Sequence, residues 1–240
     1  MSIDSSRQNL ILSLKDQIRK LTGQLHASPK PLFNEQNQLT NELCDILEKI
    51  LFQGIRTKEF NGQLPFWGLL ERLESNLPVY PVIRNSVAAV SYAGNLRTPL
   101  SKARGWIRQV LNTNGLDESI AIFTKDARVI SIFYSSQSIM RYPEEISTLV
   151  TVIKALKIMP FCINVDDKSL NNTPSWLSEA IAKNVSIYSI YIYIYISIIY
   201  HMLSFLIYFH RPSRQRKNLF PVATLAVNFT MPLPLVKAPI

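Results

Sequence analysis

The side chains able to do chemistry in this sequence are few, and their spacing limits what they could support. A nucleophilic or general-base centre needs a histidine within reach of a serine or cysteine and an orienting carboxylate. Only His26, His201 and His210 occur; the last two lie in an apolar tail, and His26 stands alone beside a polar stretch. Seven scattered glycines form no phosphate-cradling loop. The carboxylate pairs Asp117/Glu118, Glu144/Glu145 and Asp166/Asp167 each fall beside an expected turn or helix start, where acidic groups favour the helix dipole and solvent. "VDDK" (165–168) has too few acidic ligands for a calcium loop. Cys44 and Cys162 are far apart in apolar surroundings, so they read as two buried, reduced thiols and not as a disulfide or zinc site. The expectation is a protein without enzymatic activity, cofactor or metal.

What remains is basic and aromatic. In "SKARGWIRQVLN" (101–112), Lys102, Arg104 and Arg108 are interleaved with Trp106, and Arg97 lies just upstream. Arg104 and Arg108 stand four apart, so on a helix they share a face. Such a face is either a solvated helix exterior or a docking surface, where planar guanidinium groups make multidentate contacts with a partner's acidic residues. Trp106 falls between the charged positions and reads as core. Nucleic acid is not the expected partner. The net charge of +9 includes five basic and no acidic residues beyond residue 184, which leaves only +4 on 1–184.

The elements that position these groups read as helices. Residues 7–25 carry Leu10, Leu14, Ile18, Leu21 and Leu25 on one face. A polar, Pro-containing linker (26–37) follows. A second helix starts near Leu39 and stops at Gly54. Pro65 opens a third, burying Phe66, Trp67, Leu69, Leu70 and Leu73; Pro78 and Pro81 then break the chain. Thr98 caps and Pro99 opens the basic helix, which ends at "NTNG" (112–115). Further helices are expected over 116–125 and 144–158. "ARVISIFY" (127–134) is rich in β-branched residues, but its helical neighbours favour a helix. The fold class is all-α: a single compact bundle of about seven or eight helices.

Four segments in order then resemble the RUN domain: "LCDILEKILFQGI" (43–55), "FWGLLERL" (66–73), "SKARGWIRQVLNTNGL" (101–116) and "IFYSSQSIM" (132–140). The likeness covers about residues 39–170, and "FCINVDDKSLN" (161–171) is similar to the end of that domain in RUN-containing sorting nexins. It implies a helical adaptor that binds small GTPases of the Rab, Rap or Arf-like classes. The setting would be vesicle trafficking in the cytoplasm, peripheral to endosomal or other vesicle membranes. Carried onto this sequence, the partner-binding positions are Lys102, Arg104 and Gln53, with Arg108 beside them. Here Ser101 and Lys102 replace a usual glycine and arginine, and Gln53 a frequent histidine. The structural core would be Phe66, Trp67, Trp106, Leu111, Phe133 and Tyr134. On this reading 1–38 is an N-terminal helix and linker packed on the domain, and 39–176 is the domain itself.

The tail differs in kind. Residues 185–210 contain no Lys, Arg, Asp or Glu, and 190–196 read "IYIYIYI". Twenty-six uncharged residues exceed the roughly 20 that span a bilayer. The basic "RPSRQRK" (211–217), however, lies on the wrong side to leave the helical domain in the cytosol. An alternating A/T tract also translates as repeated Ile-Tyr, so 185–240 reads equally as a read-through of non-coding sequence. A transmembrane helix that tethers the domain as a general interaction module is thus the second expectation.

Overall fold

The computed structural model describes residues 3–28, 31–56, 66–76 and 80–174, all within one compact unit, Met1–Ser178. The expectations for Pro65, Pro78, the 185–210 segment and the 211–240 tail lie outside the described residues. Within them the fold is all-α, with eight α-helices, short 3-10 turns and no strand.

Helix α1 (Ile3–Ala27) buries Ile11, Leu14, Ile18 and Leu21 against α2 (Gln38–Phe52), a stripe at three- and four-residue spacing. Arg7, on the same stripe, reaches α8 (Pro143–Ile153): its Nε donates to both Glu145 carboxylate oxygens at 2.9 and 3.0 Å, and its guanidinium lies 4.0 Å from the Tyr142 ring centre. Asn37 caps α2 by accepting from the Leu39 and Thr40 amides. At the other end Gly54 takes a left-handed φ of +71°, where an added Cβ would sit 2.8 Å from the Ser138 amide nitrogen. The linker between these helices is not merely polar. Phe33 is fully buried, its ring centre 5.7 Å from that of Phe161, and its carbonyl accepts the Cys162 amide.

Helix α3 (Phe66–Asn76) is followed by α4 (Pro81–Ser91). Pro81 thus opens a helix where the sequence suggested a break. Its missing N–H is one that the first turn leaves unpaired anyway, and Ile83, Val87 and Val90 give that helix its buried face. Helix α5 (Pro99–Asn112) has the expected cap, strengthened by a reciprocal pair: the Thr98 hydroxyl accepts the Ser101 amide while Ser101 Oγ accepts the Thr98 amide. Helix α6 (Leu116–Phe123) carries Asp117 and Glu118 in its first turn, and α7 (Ala127–Phe133) is capped by Asp126. The β-branched 127–133 stretch is therefore helical. Tyr134 leaves it in extended backbone, bridging Ile55 and donating its hydroxyl to the Leu51 carbonyl at 2.7 Å.

Helix α5 is the axis of the bundle. It packs against α2, α3, α4, α6 and the 3-10 turn Lys168–Asn171, and nine of its fourteen residues are buried. The two thiols part company. Cys44 is buried, and desolvation pushes its pKa up to about 11. Cys162 is exposed, which corrects the expectation of two buried cysteines. It sits in extended backbone between the inward-facing Phe161 and Ile163, and alternation turns its side chain out.

Candidate partner-binding site

The candidate site residues separate into three environments. Lys102, in the first turn of α5, is half-buried, with its Nζ 5.5 Å above the Trp67 ring. Its neighbour Arg97 is exposed, and the Arg97 amide is held by Asn171 Oδ1 at 2.9 Å. The Thr98–Ser101 cap fixes the start of the helix, and the Trp67 ring fixes where the Lys102 ammonium stands.

Arg104 and Arg108 do share a face of α5, but it is the inward one. Their side chains are only 10% and 9% exposed and converge on Glu48 of α2, which is completely buried. Arg104 Nε donates to Glu48 Oε1 at 2.8 Å, and its Nη1 donates to the carbonyls of Leu170 (3.1 Å) and Asn172 (3.0 Å). Arg108 Nη1 lies 3.6 Å from the same Glu48 oxygen and donates to the Arg104 carbonyl at 3.2 Å. The expectation of an exposed basic face over 104–108 is therefore corrected. The physical reason is the central position of α5: with neighbours on most sides, the stripe that carries Arg104 and Arg108 also had to be buried, and a carboxylate on α2 neutralises it.

Gln53 belongs to a third place. It ends α2, its amide donating to the Lys49 carbonyl, and its Nε2 reaches Ser6 of α1 at a long 3.5 Å. Its Oε1 is buried without a hydrogen-bond donor. Lys102, the Arg104–Glu48–Arg108 cluster and Gln53 thus do not form one continuous basic patch.

The six core candidates are all buried. Phe66 is the hub of an aromatic cluster, its ring centre 5.2 Å from Phe52, 5.6 Å from Trp106 and 6.3 Å from Phe123. Trp106 Nε1 donates to Ser86 Oγ of α4 at 2.9 Å. Burial holds the Tyr134 hydroxyl neutral far above its ordinary titration range. Gly105 lets α5 lie close to the chain beyond residue 160, since a Cβ there would stand 2.6 Å from Leu96 Cδ1 and 3.2 Å from the Val165 carbonyl oxygen.

Among the described residues no group of His, Cys, Asp and Glu could hold a metal ion. The carboxylate pairs work as ion-pair partners and caps: Asp117 pairs with Lys157 at 2.9 Å, Asp166 accepts the Asn95 amide at 2.8 Å, and Asp167 caps the 168–171 turn. No helix among the described residues is long and apolar enough to cross a membrane.

The family model of the RUN domain matches residues 42–167. The chain belongs to the RUN domain family. Protein RUFY3 of rat and of human is each 29% identical over 126 residues, which is 51% of this chain and 26% of that protein. Pleckstrin homology domain-containing family M member 2 of mouse is 20% identical over 173 residues, 71% of this chain and 15% of that protein. The matched stretch thus spans about a quarter or less of these relatives' length.

The match begins within α2 and ends just before the 168–171 turn, so the Glu48–Arg104–Arg108 cluster lies wholly inside the RUN domain. The carbonyls of Leu170 and Asn172 lie just outside it, so Arg104 ties the chain that follows onto the domain. Glu48 is the residue that sequence reading missed. Its signal was in α2: it is four after Cys44 and three before Leu51, both buried, and a carboxylate on such a stripe requires a buried cation.

Proposed function

We propose that this RUN domain is a non-enzymatic adaptor that binds a GTP-loaded small GTPase of the Rab, Rap or Arf-like classes in vesicle trafficking. It would act in the cytoplasm, at the surface of endosomal or other vesicles. The partner docks at the N-terminal end of α5. The observation that carries this is the fixed placement of Lys102: a partly exposed cation on an aromatic platform, on a capped helix, at a position that the resemblance assigns to partner binding. Arg97 extends the patch, and Gln53 offers a separate polar contact at the end of α2. Arg104 and Arg108 act beneath this surface, holding α2, α5 and the 168–172 chain in register.

Capture of GTP-locked Rab, Rap and Arf-like proteins by the purified chain tests the reading. Lys102→Glu is expected to weaken nucleotide-dependent capture about tenfold, with most of the change in association rate and a steep salt dependence, as for a charge at an interface rim. Binding that ignores the nucleotide state of every GTPase tried would defeat the proposal, as would undiminished capture by Lys102→Glu.

The uncharged run of 185–210 favours a second reading, in which that segment tethers the domain to a membrane as a general interaction module. Retention of the full chain in the membrane pellet after alkaline extraction, without any GTPase present, would support this reading; release would sink it.

A further inference from the structure

A cavity of about 790 Å³ opens between α3, α6 and α7, and none of its lining residues belongs to α5. Its floor is apolar: Leu73 and Ile122 are each 5% exposed, with half-buried Val129 and Tyr80 as walls. Its rim is cationic. Arg72, Lys125 and Arg128 line it, all on exposed positions, and Lys125 Nζ stands 5.3 Å above the Tyr80 ring. Asp126, the one carboxylate among the described lining residues, is engaged in capping α7, accepting the amides of Arg128 at 2.9 Å and Val129 at 3.2 Å. Among the described lining residues, the exposed Lys125 and Arg128 thus set cations around an apolar floor, in a volume typical of ligand sites.

We propose that this cavity is a second docking site, for an acidic peptide segment of a partner protein with one apolar anchor. The anchor side chain covers Leu73 and Ile122, and carboxylates on either side of it meet Lys125 and Arg128. Two features favour a peptide over other anions. A phosphate or lipid headgroup would engage the rim but leave the apolar floor wet, and a flat bilayer surface cannot follow a concave wall. Nor can the chain's own tail serve: residues 175–240 hold one carboxylate side chain, Glu179, against six lysines and arginines. The site shares no residue with the proposed GTPase surface.

A displayed library of random peptides about a dozen residues long, panned against the full chain, tests this. The expected binders carry Asp or Glu on both sides of a Leu, Ile or Phe. A synthetic peptide of the selected sequence should bind the Lys125→Glu/Arg128→Glu protein about tenfold more weakly. Both positions are exposed, so unchanged thermal unfolding of the double variant will show that the fold is intact. An all-glutamate peptide of the same length and phosphatidylserine vesicles should each bind more weakly than the selected peptide. The proposal is overturned if no peptide is enriched, if the enriched ones lack acidic residues, or if the double variant binds them unchanged. Vesicles that match the peptide would overturn it in favour of a lipid surface.

Discussion

Replacing Glu48 by glutamine is expected to lower the unfolding free energy by about 3–5 kcal/mol, read as a fall in the denaturant midpoint at constant slope. Glu48 is completely buried and meets two guanidinium groups, one hydrogen-bonded at 2.8 Å and one 3.6 Å away. Glutamine keeps the shape and one carbonyl acceptor but removes the charge on which Arg104 and Arg108 converge. Two cations would then stay buried and repel one another, or drag their side chains out through the packing of α2 and α5. The damage should extend beyond those helices. Arg104 also holds the Leu170 and Asn172 carbonyls, so faster amide exchange over 168–172 is expected to accompany the loss. Removing the whole cluster should cost far less. Glu48→Leu with Arg104→Met and Arg108→Met leaves no charge behind, and apolar replacements of buried ion clusters are often neutral or stabilising. A Glu48→Gln loss below about 1 kcal/mol would mean the arginines escape to water, and the exposed basic face would have to be reconsidered.

The same cluster shows where the sequence was legible and where it was not. Local signals served well. The Thr98 and Pro99 pair starts α5, Gly54 turns the chain after α2, and the apolar spacing of 7–25 marks α1 within a few residues of each end. Even the β-branched 127–133 stretch was settled by its helical surroundings, since Asp126 supplies a cap that a strand would not use. What local reading could not supply was how many neighbours a helix has. The composition of α5 is that of an amphipathic surface helix, and only its place on the axis of the bundle turns Arg104 and Arg108 inward. Phe33 illustrates the converse: in a polar linker it looked incidental, yet it is pinned by Phe161, more than a hundred residues on. Pro81 misled because one residue type both ends and begins helices, and the apolar spacing that decides between these lies after it. Lys102 was found by its charge, but its standing as a fixed point depends on Trp67, a contact between helices that no spacing rule reports.

Trp106→Ala is the second large effect expected, a loss of about 3–5 kcal/mol. Trp106 is fully buried between α3, α4 and α6, its ring centre 5.6 Å from Phe66 and 6.4 Å from Phe123. Alanine would leave a void the size of an indole among rigid rings that already pack edge to face, and such rings collapse poorly into empty space. It would also strip Ser86 Oγ of the Trp106 N–H, although that hydroxyl keeps its own bond to the Ile83 carbonyl. Trp106→Phe separates the two contributions. It retains most of the ring packing and loses the hydrogen bond, so about 1–2 kcal/mol is expected. The near-ultraviolet circular dichroism of Trp106→Ala should flatten while the far-ultraviolet helical signal persists, because helices with intact apolar faces outlast specific packing. The functional consequence follows from geometry. Lys102 stands one helical turn before Trp106, and Trp67, beneath Lys102, neighbours Phe66 in α3. Loosening the aromatic cluster therefore loosens the platform under the proposed docking cation. Trp106→Ala should weaken GTPase capture without altering a single surface charge, whereas Trp106→Phe should leave it near the wild-type level. Equal capture by all three proteins would show that docking does not depend on how this end of α5 is held.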